Sequence, residues 1–313
     1  MPKKSPVFMV FIASSLFGFT AILTKLLIAT ITPVGVLAFR FMFLILTFPI
    51  ILQLLGKTSF KELISVNKEE FKHFFVLSFL LVADMVLFFQ ALYYIDVNKA
   101  ILLFLTYPIM SLLLAHLFLK ERITFTDITA TLLSLLGVAV MFLNKINIKS
   151  DAFLGEAMVL LSALLWAGYI VMNRYSVTTS HYKKTYWIFL LNSAMLLPLF
   201  FAYGKPATFF NVTLYHLALL LIISIFSTLI PYTLLSYTAP YVKSSTSSIV
   251  LLLGPIIGVF LSFIVLKETP QIKIIFGGLL ILISAFISTY SIERLFLVSK
   301  NFAKRIKTIL FGY

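Results

Sequence analysis

Ten stretches of this chain are apolar for long enough to cross a lipid bilayer, and that spacing excludes almost every other way of folding it. They run over residues 6–28, 34–55, 74–95, 98–119, 127–143, 153–174, 185–203, 214–238, 246–266 and 272–292. A helix rising about 1.5 Å per residue needs roughly 20 apolar residues to cross the hydrocarbon core. The connections are short and carry turn formers, as at Thr32-Pro33, Gly204-Lys205-Pro206 and Thr269-Pro270. Hydrophobic residues make up 61% of the 313, and charged residues only 12%. A soluble fold of that size would lack the polar residues to coat its surface. A membrane β-barrel would need strands that alternate apolar and polar positions, which these aliphatic runs do not. The predicted class is an all-α integral membrane protein with ten transmembrane helices. The run after Lys3 and Lys4 continues for about 20 residues without a small-residue cleavage pattern, so it reads as the first span rather than a signal peptide. No connector has room for a soluble domain; the longest, residues 56–72, has mixed charge and predicts a short interfacial helix.

The chain also repeats itself. Tyr94 to Glu121 holds Tyr107-Pro108-Ile109 and closes on Lys120-Glu121, while Tyr241 to Glu268 holds Gly254-Pro255-Ile256 and closes on Lys267-Glu268. At an offset of 147 residues the two stretches share 8 identities in 28 positions without a gap. A proline inside an apolar run and a charged pair at its end, equally spaced, mark an internal duplication. The first spans of the two halves align at an offset of 149, with Leu16 on Leu165, Phe17-Gly18 on Trp166-Ala167 and Lys25 on Arg174.

Lysines and arginines give the orientation. With the N-terminus inside, 17 of them fall in cytoplasmic segments and 6 in outer ones, with Lys25 and Arg40 inside spans. That bias puts both termini in the cytoplasm of a multi-pass cell-membrane protein. It also accounts for the formal net charge of +14 without a nucleic-acid partner. Each copy of the repeat then belongs to a unit of five spans, residues 1–147 and 148–292, followed by a basic cytoplasmic tail, 293–313. Five is odd, so the units would cross the membrane in opposite directions, an architecture used by many secondary transporters.

In this order and spacing the chain resembles the drug/metabolite transporter superfamily, in its EamA-like branch. The resemblance rests on ten spans in two inverted five-helix repeats, on Thr32-Pro33 followed by Arg40, and on the Pro108–Glu121 and Pro255–Glu268 segments that close the fourth span of each unit. It implies a carrier of small metabolites with a central cavity lined by the first, third and fourth spans of each unit. The chain departs from the family at Phe189, where a second-unit equivalent of Arg40 would stand, and at Phe17, where tryptophan is frequent.

Asp84 is the acidic residue placed deep within a span, ten residues past Phe74 and so roughly 15 Å in, about mid-membrane. An ionised carboxylate there costs about 2.5–3.5 kcal/mol on insertion scales, so it pairs or binds something. Two readings stand: it takes a substrate amine or a coupled proton, or it forms an ion pair with Arg40, which lies about 10 Å into the second span. Arg40 is likewise either structural or a substrate anchor. Lys25 and Arg174 lie near span ends, where they either snorkel to the interface or meet a substrate carboxylate. Pro108 and Pro255 free carbonyls within their spans, as hinges lining a cavity or as passive kinks. The serine pairs Ser244-Ser245 and Ser247-Ser248 read as caps for the ninth span. Trp166 and Tyr169 share a helix face, Asp84 and Phe88 share another, and Ser14 and Phe17 repeat the first spacing; Tyr107 and Tyr232 add rings with a polar handle near mid-span. These residues line a site for an amphipathic solute, or they pack and sit at the interface.

The four histidines are scattered, no cysteine occurs, and no phosphate-binding glycine loop is present, so the sequence implies no catalytic set, metal site or cofactor. The expected function is secondary active transport of a small metabolite, an amino acid or similar amphipathic solute, by alternating access and with export favoured. The partners expected are that solute, a coupled proton and membrane lipid, with the chain a monomer or homodimer. Alternatives are a carrier of phosphorylated or nucleotide-sugar solutes, for which Lys25, Arg40 and Arg174 must point inward, and a membrane-embedded enzyme or non-transporting scaffold.

Overall fold

The computed structural model describes residues 5–27, 30–95, 97–142, 153–175, 180–205, 211–266, 272–273 and 275–289, and every regular element among them is helical. In order these are α1 (Pro6–Leu27), α2 (Pro33–Leu54), α3 (Phe60–Ile64), α4 (Lys68–Ala91), α5 (Val97–Phe104), α6 (Tyr107–Leu119), α7 (Phe125–Phe142), α8 (Phe153–Arg174) and α9 (His181–Tyr203). There follow α10 (Leu214–Ser224), a π-helical turn (Ile225–Leu229), α11 (Ile230–Thr238), α12 (Ser244–Leu251), α13 (Leu253–Leu266) and α14 (Ile275–Thr289). Among the described residues six helical stretches are long and apolar enough to cross a membrane, and four shorter apolar helices accompany them. The predicted tail, Lys267-Glu268 and the side chain of Lys25 lie outside the described residues.

Side-chain caps set the helix ends. Thr32 accepts from the Gly35 amide at 3.2 Å, starts α2 at Pro33, and donates its hydroxyl to the Gly204 carbonyl at 2.7 Å. Asn67 and Glu70 form a reciprocal capping box that starts α4 at Lys68, six residues before the apolar run that marks it in the sequence. Ser180 caps α9 at His181 one way, its hydroxyl accepting from the Lys183 amide at 3.2 Å. Both helices thus gain a polar turn outside the hydrocarbon that hydropathy alone does not count. The connector over 56–72 does hold a short helix, α3, closed by a Ser59–Glu62 capping box.

Two spans read as continuous are broken. The fourth stops at Phe104 and restarts at Tyr107, which puts Pro108 in the first turn of α6 rather than in mid-helix. The ninth stops at Leu251 and restarts at Leu253, which puts Pro255 in the first turn of α13. Proline costs nothing there, because a first-turn amide has no helical acceptor anyway. The expected kinks are therefore breaks.

The distribution of polarity is the reverse of a soluble protein's. Exposed positions are apolar, among them Leu46, Leu54, Leu117, Phe118, Phe201 and Phe286, whereas Ser14, Ser78, Ser111, Ser162, Asn192 and Thr246 are fully buried. Small hydroxyl residues between helices and an apolar outside are what lipid selects. α1 packs on α11, α12 and α13, and α8 packs on α4, α5 and α6; α2 lies against α9 and α10, α4 against α9, and α6 against α12.

Glycine sets the closest approaches. A Cβ on Gly18 would lie 2.7 Å from the Gly254 carbonyl oxygen and 3.0 Å from the Gly258 amide, so α1 and α13 touch backbone to backbone. Gly137 meets Gly277 in the same way, its Cβ falling 2.6 Å from that carbonyl, where α7 crosses α14. Gly168 faces only Leu80 side-chain atoms, at 3.6 Å or more. Gly18→Ala is therefore expected to destabilise the protein by about 1–3 kcal/mol through forced separation of two helices. Gly168→Ala should be neutral or gain roughly 0.5–1 kcal/mol from the lost glycine flexibility. Melting curves of the two variants in detergent check the contrast, and equal shifts would disprove it.

Candidate functional site

Most of the aromatic candidates meet at one junction of α1, α6, α8 and α11. The Tyr232 ring stands edge-on to Phe17 at 5.4 Å and to Tyr169 at 6.1 Å. Trp166 stacks on Tyr169 at 5.5 Å, and touches Phe17 and Tyr107 edgewise, each at 6.4 Å. The pairing of Trp166 with Tyr169 follows from their three-residue spacing on α8. Phe88 joins less directly, through Phe104 at 5.4 Å, whose ring lies 5.7 Å from Tyr107. Two residues that sequence reasoning did not place here, Phe41 and Phe189, close the far side of Tyr232 at 6.3 and 6.2 Å. Phe189 stands where a second arginine was sought, and it packs as a ring.

The helix breaks supply this junction with polar groups. A proline at position 255 cannot bond the carbonyl four residues back, that of Leu251. Ser14 fills the gap, donating its hydroxyl to Leu251 O at 3.0 Å. Tyr107 donates to Ser248 O at 3.0 Å, one turn earlier. On α8 the residue equivalent to Ser14 is Ala163, which has no hydroxyl to offer.

Asp84 and Arg40 are both buried, and they do not pair with each other. Asp84 accepts a 2.5 Å hydrogen bond from Ser162, one turn before Trp166 on α8. Arg40 donates to Thr228 Oγ1 at 2.7 Å and to Ser227 O at 3.2 Å, both in the π-helical turn. The ion pair between them is thus replaced by two separate contacts with neutral groups. The signal for the π-turn is Pro231, two residues past it, which cannot bond the carbonyl four residues back, that of Ser227. The turn's extra residue misaligns the helical ladder, and Arg40 takes up one carbonyl there, while the Ser227 hydroxyl donates to Leu16 O on α1 at 3.2 Å.

A second polar group of contacts lies at the lysine-rich end of the bundle. Glu121 Oε1 accepts from Arg174 Nε at 3.0 Å and from the Ser244 hydroxyl at 3.1 Å. Arg174 Nη1 donates to the Val242 carbonyl. Asp127 takes Lys243 Nζ at 3.1 Å and the Ser245 hydroxyl at 3.2 Å. The serines at the start of α12 were expected to cap it; the residue before the helix is Lys243, without a side-chain cap, and Ser244 turns to Glu121 in the α6–α7 connection while Ser245 turns to Asp127 in the first turn of α7. Arg174, one of the cations that a phosphorylated solute would require, is engaged by Glu121. Lys184, which the sequence reading passed over, is buried and donates to Asn173 O at 2.9 Å.

Comparison with known proteins bears on the family and the fold. The chain is 25% identical over 240 residues to the Bacillus subtilis protein YoaV, described as an uncharacterized transporter, with 75% of this chain and 81% of that one covered. It is 26% identical over 306 residues to YcxC of the same organism, also described as an uncharacterized transporter, covering 93% and 95% of the two chains. A solved crystal structure superposes with a TM-score of 0.78 at 16% identity, over 93% of this chain and 98% of that one, which speaks for the fold alone. The profile of the EamA-like transporter family matches twice, over residues 4–143 and 153–290. With the profile matched in both halves and the described helices built for lipid, the chain is a multi-pass membrane protein that belongs to the EamA-like transporter family.

Proposed function

We propose that this protein is a secondary active transporter that carries a small metabolite, an amino acid or similar amphipathic solute, across the cell membrane by alternating access, with export favoured. One observation carries the reading: a carboxylate, Asp84, is buried beside an aromatic junction and holds only a serine hydroxyl. A lone carboxylate at such depth is costly as an anion, so a substrate amine or a coupled proton would relieve it. The rings of Phe17, Trp166, Tyr169 and Tyr232 offer an apolar body a surface of matching character, and a cationic group a π face. The relatives' description as transporters favours carriage over catalysis.

The two units of this reading, 1–147 and 148–292, are related by inversion. The packing supports it, because neighbour relations survive exchange of the halves: α1 meets α11 as α8 meets α4, α1 meets α13 as α8 meets α6, and α2 meets α10 as α9 meets α4. With five crossings per unit, such an exchange turns one unit upside down. The excess of Lys and Arg at the end that carries Glu121 and Arg174 assigns that end to the cytoplasm, with both termini there. Export rests on the family resemblance, and the working form is a monomer or homodimer.

Thermal-shift screening of the purified protein against a metabolite panel identifies a solute, since a ligand of the folded state raises the melting temperature. In proteoliposomes with that solute, Asp84→Asn should cut transport about tenfold or more, the loss of a charge-assisted contact of roughly 1.5–3 kcal/mol, with melting little changed. Full transport by this variant would remove Asp84 from the mechanism. Trp166→Ala should change affinity by roughly fivefold, about 1 kcal/mol, and reorder competition between apolar and aromatic solutes. An unaltered competition order would take Trp166 out of the site.

A further inference from the structure

Below the aromatic junction, toward the lysine-rich end, buried polar atoms accumulate without partners. Tyr169 Oη, Asn173 Oδ1 and Ser236 Oγ are three of the six buried side-chain polar atoms, among the described residues, with no hydrogen bond. Tyr169 and Asn173 stand one turn apart on α8, and Ser236 stands one turn past Tyr232 on α11. Proteins seldom tolerate such orphans, and each asks for a reason. Tyr169 and Asn173, with Arg174, Leu235, Ser244 and Ser247, enclose a space of about 10 Å³, on the order of one water molecule. A column of polar groups that leads from the site and finds nothing to bond is the expected lining of a passage that is wet in another conformation.

The end of that column is shut by contacts between the halves. Glu121, from the α6–α7 connection, holds Arg174 at the end of α8 and Ser244 at the start of α12, and Asp127 holds Lys243 and Ser245 beside them. Both carboxylates also sit at the positive end of the α12 dipole. In the sequence the repeat offset of 147 aligns Glu268 with Glu121, but it aligns Ile274, Asp96 and Val97 with Asp127, Lys243 and Ser244. The second clamp thus has no counterpart in the sequence, and closure is favoured at the lysine-rich end.

We propose that the solute passage from the aromatic junction to the lysine-rich face runs between α8, α11 and α12 past Tyr169, Asn173 and Ser247, and that Glu121–Arg174–Ser244, backed by Asp127–Lys243, is the latch that closes it. This rests on the transport reading, but its test needs no solute. The chain has no cysteine, so Ser247→Cys, in the lining of that space, supplies a single reporter. In lipid nanodiscs a water-soluble maleimide should label this reporter slowly. Adding Glu121→Gln and Asp127→Asn should raise the rate about tenfold or more, as befits the loss of charge-assisted hydrogen bonds. Arg174→Gln removes the same main contact and serves if the acidic variants fail to fold. Glu156→Gln, which breaks the Lys99–Glu156 pair away from the passage, should leave the rate unchanged. A rate insensitive to the latch variants, or one raised equally by Glu156→Gln, overturns the proposal. Full transport by Asp84→Asn would count against the substrate site and leave this result untouched.

Discussion

In hydrocarbon a backbone carbonyl without a donor costs several kcal/mol, so a chain can interrupt a helix only where another group answers it. Among the described residues three spans are interrupted: between α5 and α6, between α12 and α13, and at the π-turn ahead of α11. Ser14 and Tyr107 answer the second break, and Arg40 answers the π-turn. The donors come from helices distant in sequence, so each irregularity ties parts of the bundle together. The aromatic junction lies where those ties converge. Irregular backbone and candidate site coincide for one reason: polar groups at membrane depth need company, and a site provides it.

The same constraint explains the choice of residues between the helices. Serine and threonine return their hydroxyls to carbonyls of their own turn, as Ser193 does to Phe189 and Ser224 to Leu220, and so add little polarity. Glycine lets α1 approach α13 and α7 approach α14 at backbone contact. Without a strong hydrophobic drive between helices in lipid, such close packing holds the bundle. Many large apolar side chains, such as Leu54, Phe118 and Phe286, point outward, where lipid accepts them.

Much of this was legible in the residues, and the failures share a cause. The positions of the apolar helices follow from hydropathy, and the repeated proline marks the places where two spans are interrupted. The rings that meet at the junction were singled out because an aromatic with a polar handle is conspicuous at mid-span. Sequence reasoning missed what depends on who faces whom. Ser162, which holds Asp84, is one serine among many, and nothing local distinguishes it. Arg40 and Asp84 look like partners by depth alone, yet each is nearer a neutral group on another helix. The serines before α12 match a capping pattern, but the carboxylates that engage them come from the other half of the chain. The early starts of α4 and α9 were missed because caps, not hydropathy, decide where a helix leaves the interface.

The unequal treatment of the two proline breaks has a mechanical consequence. The joint at Leu252 is braced from outside by hydroxyls of α1 and α6, whereas the joint at Leu105 is held through Thr106, which bonds Leu103 within its own segment. Duplicated parts have thus come to be held differently: one joint is tied to two other helices and the other to its own turn, and Tyr107 beside the second donates the bond that braces the first.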